Sequence, residues 1–205
     1  MNYYVTGIGT DVGKTVVSAV LVEALAADYW KPVQCGFPRD TETVSKLISN
    51  QTSVFHPEHY VLQEPASPHQ AAHNEGVQLK LADIKAPDTE KDLVIEGAGG
   101  IMVPINDHEF ILDLIEKFAD QVLLVCSLYL GSINHSLLSV EVLRTRGIKV
   151  AGIVFNGEIN QHSQQIIQSY SDLDCLLHLE PNSKIDSQSI IRWAQTLKKN
   201  LGLIS

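Results

Sequence analysis

The sequence predicts an α/β domain in which helices flank a doubly wound, mainly parallel sheet, with residues 1–205 forming a single unit. Apolar strand-like runs alternate with helical patterns, and most of the links between them are short. The runs are apolar throughout, which is typical of strands that are covered on both faces. The composition agrees, since 205 residues with 44% hydrophobic and 19% charged content suit one sizeable core.

The predicted elements follow one another along the chain without an internal repeat. We expect strands at Tyr3–Thr6, Trp30–Val33, Leu93–Glu96, Val122–Ser127, Val150–Asn156 and Cys175–Leu179. We expect helices at Lys14–Ala27, Thr41–Ser49, Phe110–Phe118, Ile133–Arg146, Ser163–Ser169 and Ser187–Asn200. Residues 51–92 interrupt this alternation and contain four prolines, so they predict a long excursion with some helix.

The stretch from Gly7 to Thr15 joins the first predicted strand to the first helix. A glycine-rich turn there leaves backbone N–H groups aimed at one point, and the helix N-terminus adds partial positive charge. Lys14 can then reach terminal phosphates, and the Thr15 hydroxyl can bind Mg²⁺. Five residues separate Gly7 from Gly13 where the usual pattern has four, so a chance glycine-rich turn is the alternative. The order of strand, loop, Gly-Lys-Thr and helix favours a P-loop NTPase-like domain that binds a nucleoside triphosphate.

Residues that follow the other strands are the next candidates, because ligands of open α/β sheets bind beyond the carboxyl ends of the strands. Glu96 either holds Mg²⁺ beside the phosphate loop or merely ends its strand at the surface. Lys31 could stabilise charge moving between a phosphoryl donor and an acceptor, although taken alone it predicts a surface lysine. Asp40 and Glu42 open a helix, and either complete a metal site or satisfy the helix N-terminus.

Charge and cysteine content exclude some classes of function. A net charge of −9 argues against non-specific nucleic-acid binding, and we expect no nucleic-acid partner. We also expect no membrane partner, because apolar runs stay short of the ~18 residues of a membrane helix. Three cysteines make no disulfide framework, and Cys126 lies in an apolar run that predicts burial. These features predict a protein of the reducing cytoplasm.

Five motifs, in order along nearly the whole chain, resemble those of the dethiobiotin synthase family. They are Thr6–Thr15, Lys31–Gly36, Glu64–His69, Glu96–Gly100 and Gly131–His135. The phosphate loop with its extra residue is similar to the family's own variant. Each motif alone is weak, whereas five in order are specific.

The resemblance implies an ATP-dependent cyclo-ligase of biotin biosynthesis. In the family's reaction, one amine of diaminopelargonate takes up CO₂ (or bicarbonate carbon) as a carbamate, which attacks the γ-phosphate of ATP. The resulting carbamic–phosphoric anhydride is attacked by the second amine, phosphate leaves, and the ureido ring of dethiobiotin remains. The resemblance also implies Mg²⁺ as cofactor and a homodimer with the substrate site at its interface.

The resemblance further implies a role for each matching residue. Catalytic residues around the carbamate and γ-phosphate would be Lys31, Lys14 and Thr10. Mg²⁺ would be held by Thr15, Glu96 and Glu42, with Asp40 as the alternative to Glu42. ATP would be bound by Asp11, Val12, Gly13, Lys14, Thr15, Val16, Glu96, Gly97, Ala98, Gly99 and Asn156, the last of these at the adenine. The substrate would be bound by Thr10, Lys31 and Cys35, and by Leu130, Gly131 and Asn134 reaching across from the partner subunit.

Two other hypotheses remain open. A nucleotide-switched partition or scaffold ATPase would share the fold, but such proteins often carry a second lysine early in the phosphate loop, where this chain has Ile8, Gly9 and Thr10. A catalytically inactive paralogue is the other, because Cys35 replaces the family's usual Ser or Thr. For the synthase hypothesis we expect Lys31→Ala to abolish turnover while largely sparing the fold.

Overall fold

The computed structural model describes residues 1–181 and 184–204, and within them the chain forms nine strands and seven helices. The strands are β1 (Asn2–Gly7), β2 (Asp28–Trp30), β3 (Val33–Cys35), β4 (Phe55–His56), β5 (Tyr60–Leu62), β6 (Leu93–Gly100), β7 (Gln121–Ser127), β8 (Val150–Asn156) and β9 (Cys175–Leu179). The helices are α1 (Lys14–Leu25), α2 (Asp40–Leu47), α3 (Pro68–Glu75), α4 (Ile111–Phe118), α5 (Ser132–Thr145), α6 (Gln161–Ser171) and α7 (Ser187–Asn200). Among the described residues, these helices are too short or too polar to cross a membrane.

Seven of these strands form one parallel sheet in the order β4-β2-β6-β1-β7-β8-β9. β1 lies at its centre, with β6 on one side and β7 on the other. The register pairs Val5 with Glu96 and Gly7 with Gly100. The carboxyl ends of β1 and β6 therefore meet at one edge of the sheet, which confirms the predicted doubly wound architecture and sets the position of the phosphate loop.

Successive side chains of the central strand β1 pack into two different hydrophobic clusters, because they point to opposite faces of the sheet. Tyr3 and Val5 pack in a cluster that includes residues of α1, α2 and α7. Tyr4 packs in a second cluster with residues of α3 and α4. A strand buried on both faces must be apolar throughout, which is the pattern that the sequence shows.

The second predicted strand, Trp30–Val33, is wrong. The main-sheet strand β2 ends at Trp30, and the chain then forms β3, which pairs with β5 in a separate two-stranded sheet. Pro32 lies between β2 and β3 and has no N–H to donate to a ladder, so the strand cannot continue through it. Prediction also missed β4 and β5, whereas the helix expected within residues 51–92 is α3, with Pro68 in its first turn.

The third predicted strand, Leu93–Glu96, is too short. β6 continues to Gly100, so Glu96 lies inside a strand and not at its tip. Gly97 packs closely against the ring of Tyr4, where a Cβ would lie 2.9 Å from Tyr4 Cε1. The absence of a side chain at Gly97 thus lets the strand run over a bulky core residue. The remaining predicted elements lie within two residues of their observed bounds.

Candidate active site

The phosphate loop crosses the carboxyl edge of the sheet between β1 and α1. Gly13 has a φ of 100°, a left-handed conformation that favours glycine, and α1 begins at the next residue. A Cβ at Gly13 would lie 2.6 Å from Asn156 Nδ2, so the loop and β8 approach each other too closely for a side chain. The free N–H groups and dipole of the α1 N-terminus form a receptor for an anion here.

Lys14 spans the inside of this loop. Its Nζ donates a hydrogen bond of 2.8 Å to the carbonyl oxygen of Gly9, and its side chain is largely buried. Burial lowers the pKa of the Lys14 ammonium from 10.5 to about 8, with Glu96 opposing the shift. Lys14 therefore stays mostly charged near neutral pH, and the Gly9 carbonyl holds its ammonium inside the loop.

Two carboxylates meet the first turn of α1. Thr15 Oγ1 lies 3.0 Å from Glu96 Oε1 and 3.1 Å from Asp40 Oδ1. Glu96 is 1% exposed, and Asp40 begins α2 at the wall of the same pocket. The Thr15 hydroxyl is thus within hydrogen-bond distance of both carboxylates. These three side chains offer hard oxygen ligands, which Mg²⁺ prefers.

Lys31 lies between the same two carboxylates. Its Nζ donates to Glu96 Oε1 at 3.1 Å and forms a close ion pair with Asp40 Oδ2. Burial acts to lower the pKa of Lys31, but Glu96 and Asp40 raise it above its ordinary value of 10.5, so the side chain stays charged. At 4% exposure, Lys31 is not the surface lysine that its sequence context alone predicts.

The preferred acid of the predicted metal site, Glu42, is not brought to this cluster. Its side chain is exposed on α2, two residues beyond Asp40. Each residue of an α-helix turns the side chain by about 100°, so Glu42 points roughly opposite to Asp40. The alternative acid, Asp40, is the one that contacts Thr15 and Lys31.

These groups line a cavity of about 680 Å³, a size ordinary for small-molecule sites. Of the predicted site residues, the cavity is lined by Thr10, Asp11, Gly13, Lys14, Thr15, Val16, Lys31, Cys35, Glu96, Ala98 and Gly99. Cys35 is half-buried in its wall, and burial raises the pKa of the thiol to about 11, so Cys35 is present as a neutral thiol. The structure thus brings most of the predicted residues of three separate motifs into one pocket.

Other predicted residues lie apart from this cavity in the described chain. Leu130, Gly131 and Asn134 are exposed at the start of α5, and Leu130 is fully exposed to solvent. Asn156 at the end of β8 donates a 2.9 Å hydrogen bond to the carbonyl of Val12, so it braces the phosphate loop from behind. The amide oxygen Oδ1 takes no part in this hydrogen bond.

Two buried polar side chains next to the cluster were missed by sequence analysis. Gln34 accepts a 3.1 Å hydrogen bond from the backbone N–H of Asp40, the first residue of α2, and so caps that helix from outside it. Tyr29 donates a 2.9 Å hydrogen bond to Glu96 Oε2. Gln34 lies inside a recognised motif and could have been singled out, whereas Tyr29 in an apolar strand is indistinguishable from a core residue.

Comparison with known proteins decides the family. A family model described as an AAA domain matches residues 1–189. The chain is 50% identical over 201 residues to the ATP-dependent dethiobiotin synthetase BioD of Cytophaga hutchinsonii, covering 97% of this chain and 98% of that relative. It is 48% identical to the protein of the same name from Christiangramia forsetii, over 98% of this chain and 97% of the relative. The chain belongs to the ATP-dependent dethiobiotin synthetase family.

As a member of this family, the chain is an ATP-dependent ligase with a role in biotin biosynthesis. Solved structures show a more distant likeness. The ParA family ATPase of Chlorobium tepidum aligns with a TM-score of 0.58 at 13% identity, over 95% of this chain and 97% of that one. The MinD protein of Pyrococcus horikoshii aligns with a TM-score of 0.54 at 11% identity, over 99% and 98% of the two chains. At such identities the likeness shows the shared fold alone, and it confirms the P-loop NTPase-like class.

Proposed function

We propose that this dethiobiotin synthetase closes the ureido ring of dethiobiotin from diaminopelargonate, CO₂ and ATP, and that residues 1–205 act as one synthetase domain. One observation carries the proposal: the phosphate loop, Lys31 and the acids Asp40 and Glu96 converge in a single cavity. The phosphate loop in this cavity can bind the phosphates of ATP, and Lys31 supplies a buried positive charge next to it. The rest of the cavity leaves room for the molecule that accepts the phosphoryl group. Phosphoryl transfer asks mainly for such positioning and charge stabilisation.

The N-terminus of α1 would bind the phosphates of ATP, with Lys14 turning from the Gly9 carbonyl to the terminal phosphate. Asn156 would read the adenine through the amide oxygen that its bond to Val12 leaves available. Asp11, which has a φ of 57° and lies on the loop's exposed side, would face the nucleotide at the cavity rim.

The residues present fit Mg²⁺, because Asp40 and Glu96 each place a hard oxygen within 3.1 Å of Thr15 Oγ1. The ammonium of Lys31 bridges both carboxylates, which supports a cation-binding role for this pair of acids. When bound there, Mg²⁺ would neutralise charge on the β- and γ-phosphates of ATP. We assign Thr15, Asp40 and Glu96 to hold it, and leave Glu42 out.

Lys31 and Thr10 would bind the carbamate and stabilise its charge during phosphoryl transfer. One amine of the substrate adds to CO₂ and loses a proton, and a carbamate oxygen then attacks the γ-phosphorus as ADP leaves. The charge of Lys31 would stabilise the oxygens that gain negative charge in this step, and the hydroxyl of Thr10, which lines the same cavity, would donate a hydrogen bond to them. The second amine attacks the carbonyl carbon, inorganic phosphate departs, and the ring is closed.

We propose that the substrate's carboxylate is bound by a second copy of this chain. Leu130, Gly131 and Asn134 are exposed at the N-terminus of the fourteen-residue helix α5, away from the cavity of their own subunit. A helix N-terminus led by glycine is a suitable carboxylate receptor. A two-fold dimer would present this loop to the partner's cavity, and the free cysteines of the described chain suit a cytoplasmic enzyme.

The reaction itself is tested by measuring ADP release with Mg²⁺ and ATP while diaminopelargonate and bicarbonate are each withheld. We expect release to need both, and dethiobiotin to appear in equal amount. ATP hydrolysis that is equally fast without the diamine would refute the proposal, and ATP-dependent polymerisation would support a scaffold ATPase instead.

The shared site is tested by mixing two inactive variants, Lys31→Met and Asn134→Ala. If each site borrows Asn134 from its partner, half of the randomly mixed dimers carry one intact site, and about a quarter of the wild-type activity returns. Activity that stays at the level of the separate variants would contradict a site built from two subunits.

A further inference from the structure

Tyr29 lies beneath the acidic end of the cavity without being among its lining residues in the described chain. The side chain is fully buried in β2, and its hydroxyl donates to Glu96 Oε2 at 2.9 Å. Burial, and after it the charge of Glu96, raises the pKa of the phenol well above 10. The hydroxyl of Tyr29 is therefore a hydrogen-bond donor to one oxygen of Glu96.

The sheet register explains how this phenol reaches the acid. β2 pairs with β6 so that Tyr29 lies opposite Val94, two residues before Glu96 and on the same face of the sheet. Two residues of strand span about 6.6 Å, which the length of a tyrosine side chain covers. A shorter polar side chain at position 29 would not reach, and an apolar one would leave Oε2 unpaired.

The two oxygens of Glu96 consequently have different partners. Oε2 is bound by Tyr29, whereas Oε1 faces Thr15 and Lys31. The last torsion of a glutamate side chain is broad and soft, so the carboxylate needs a partner to hold its plane. Hydrogen bonds behind a metal-binding carboxylate perform this task in metal sites generally.

We propose that Tyr29 is a positioning residue, which holds the Glu96 carboxylate so that Oε1 is presented to Mg²⁺ beside Thr15. The inference rests on the proposed role of Glu96 as a metal-binding residue. Loss of such a partner typically weakens metal binding by about 10- to 100-fold. Since Tyr29 supplies one bond to one of two acids, we expect the low end, about tenfold.

Tyr29→Phe removes the hydroxyl and keeps the ring in its place. Tyr4→Phe is the matched control, because Tyr4 is a second fully buried tyrosine near this end of β6, and its hydroxyl has no hydrogen-bond partner in the described chain. Binding of a non-hydrolysable ATP analogue is measured by calorimetry with and without Mg²⁺. The ratio of the two affinities reports the metal site, whereas damage to the fold changes both affinities.

We expect Tyr29→Phe to reduce this ratio about tenfold with metal-free affinity unchanged, and Tyr4→Phe to leave the ratio as in the wild type. In a Glu96→Gln background, Tyr29→Phe should have no further effect, because it acts through Glu96. Thermal unfolding of each variant verifies that the comparison is made on folded protein.

The experiment distinguishes a failure of the positioning role of Tyr29 from a failure of the proposed metal site. If Glu96→Gln lowers the ratio but Tyr29→Phe does not, the positioning role is wrong and the proposed metal site stands. If Glu96→Gln leaves the ratio unchanged, or the wild type gains nothing from Mg²⁺, the assigned metal site is wrong and the role of Tyr29 is overturned with it.

Discussion

Replacing Lys31 by Met should destabilise the protein measurably, contrary to the expectation that Lys31 substitution spares the fold. Its ammonium is the buried partner of both Asp40 and Glu96, whose side chains are 27% and 1% exposed. Removing one partner of a buried pair typically costs about 3–5 kcal/mol, because an uncompensated charge is left behind. Water reaches part of Asp40, so we take the lower end, about 3 kcal/mol. For a chain of this length, that lowers the Tm by about 6–12 °C.

The assay is thermal and urea unfolding at pH 7.5 in the absence of divalent cations. The ion pairs contribute fully there, because their stabilisation is lost only as the pH rises past the raised pKa of Lys31. Lys46→Met, on the exposed face of α2, is the matched control and should change stability by less than about 0.5 kcal/mol. Adding Asp40→Asn to Lys31→Met should recover part of the loss, since one uncompensated charge is then removed. A Lys31→Met protein as stable as the wild type would refute the argument.

Three further substitutions or titrations probe other parts of the cavity. Gly13→Ala should cost about 1–3 kcal/mol and abolish nucleotide binding, since φ is 100° and the new Cβ would lie 2.6 Å from Asn156 Nδ2. Gly76→Ala, at a left-handed position with nothing within 4 Å, is its control in unfolding and calorimetry. Because burial lowers the pKa of Lys14 to about 8 and phosphates favour its charged form, ADP binding should take up protons above pH 8 and hardly any at pH 6.5. Calorimetry in buffers of different ionisation enthalpy measures this uptake, which Lys14→Met should remove. Cys35→Ser should lower the KM for diaminopelargonate severalfold with kcat nearly unchanged, because a hydroxyl is a stronger donor than the neutral thiol; an unchanged KM would place Cys35 away from the substrate.

The sheet and the phosphate loop were predictable because their signals are local. Continuous apolar runs such as Val122–Ser127 need both faces covered, and the residues between Gly7 and Thr15 place the turn, the cation and the hydroxyl in the order that phosphate binding requires. The bounds of such elements agree with the structure to within two residues. Where a single residue ends an element, as Pro32 does for β2, the sequence also contains the reason, although the prediction passed over it.

The acid that we propose for the metal site was not predictable from spacing. Asp40 and Glu42 both lie in the first turn of α2, and both suit a helix N-terminus. The choice depends on the angle at which α2 meets α1, and on Gln34, which binds the first N–H of α2 and so fixes where the helix begins. Sequence patterns of one helix carry no information on its orientation toward another, so only the three-dimensional structure shows that Asp40 is the acid in contact with Thr15 and Lys31.

Burial of Lys31 is a consequence of the same geometry. A lone lysine beside a proline has no sequence pattern that distinguishes it from a solvated one, and burying it alone would be prohibitive. It is tolerated because two carboxylates, one from β6 and one from α2, meet at its Nζ. The acids need the cation for the same reason, since two nearby negative charges repel each other and one of them, Glu96, is only 1% exposed. Each of the three groups therefore makes the burial of the others possible, and the cluster is assembled only when β2, β6 and α2 are all in place. Its charge balance, and with it the placement of every group proposed to hold Mg²⁺ or the carbamate, is a property of the tertiary fold.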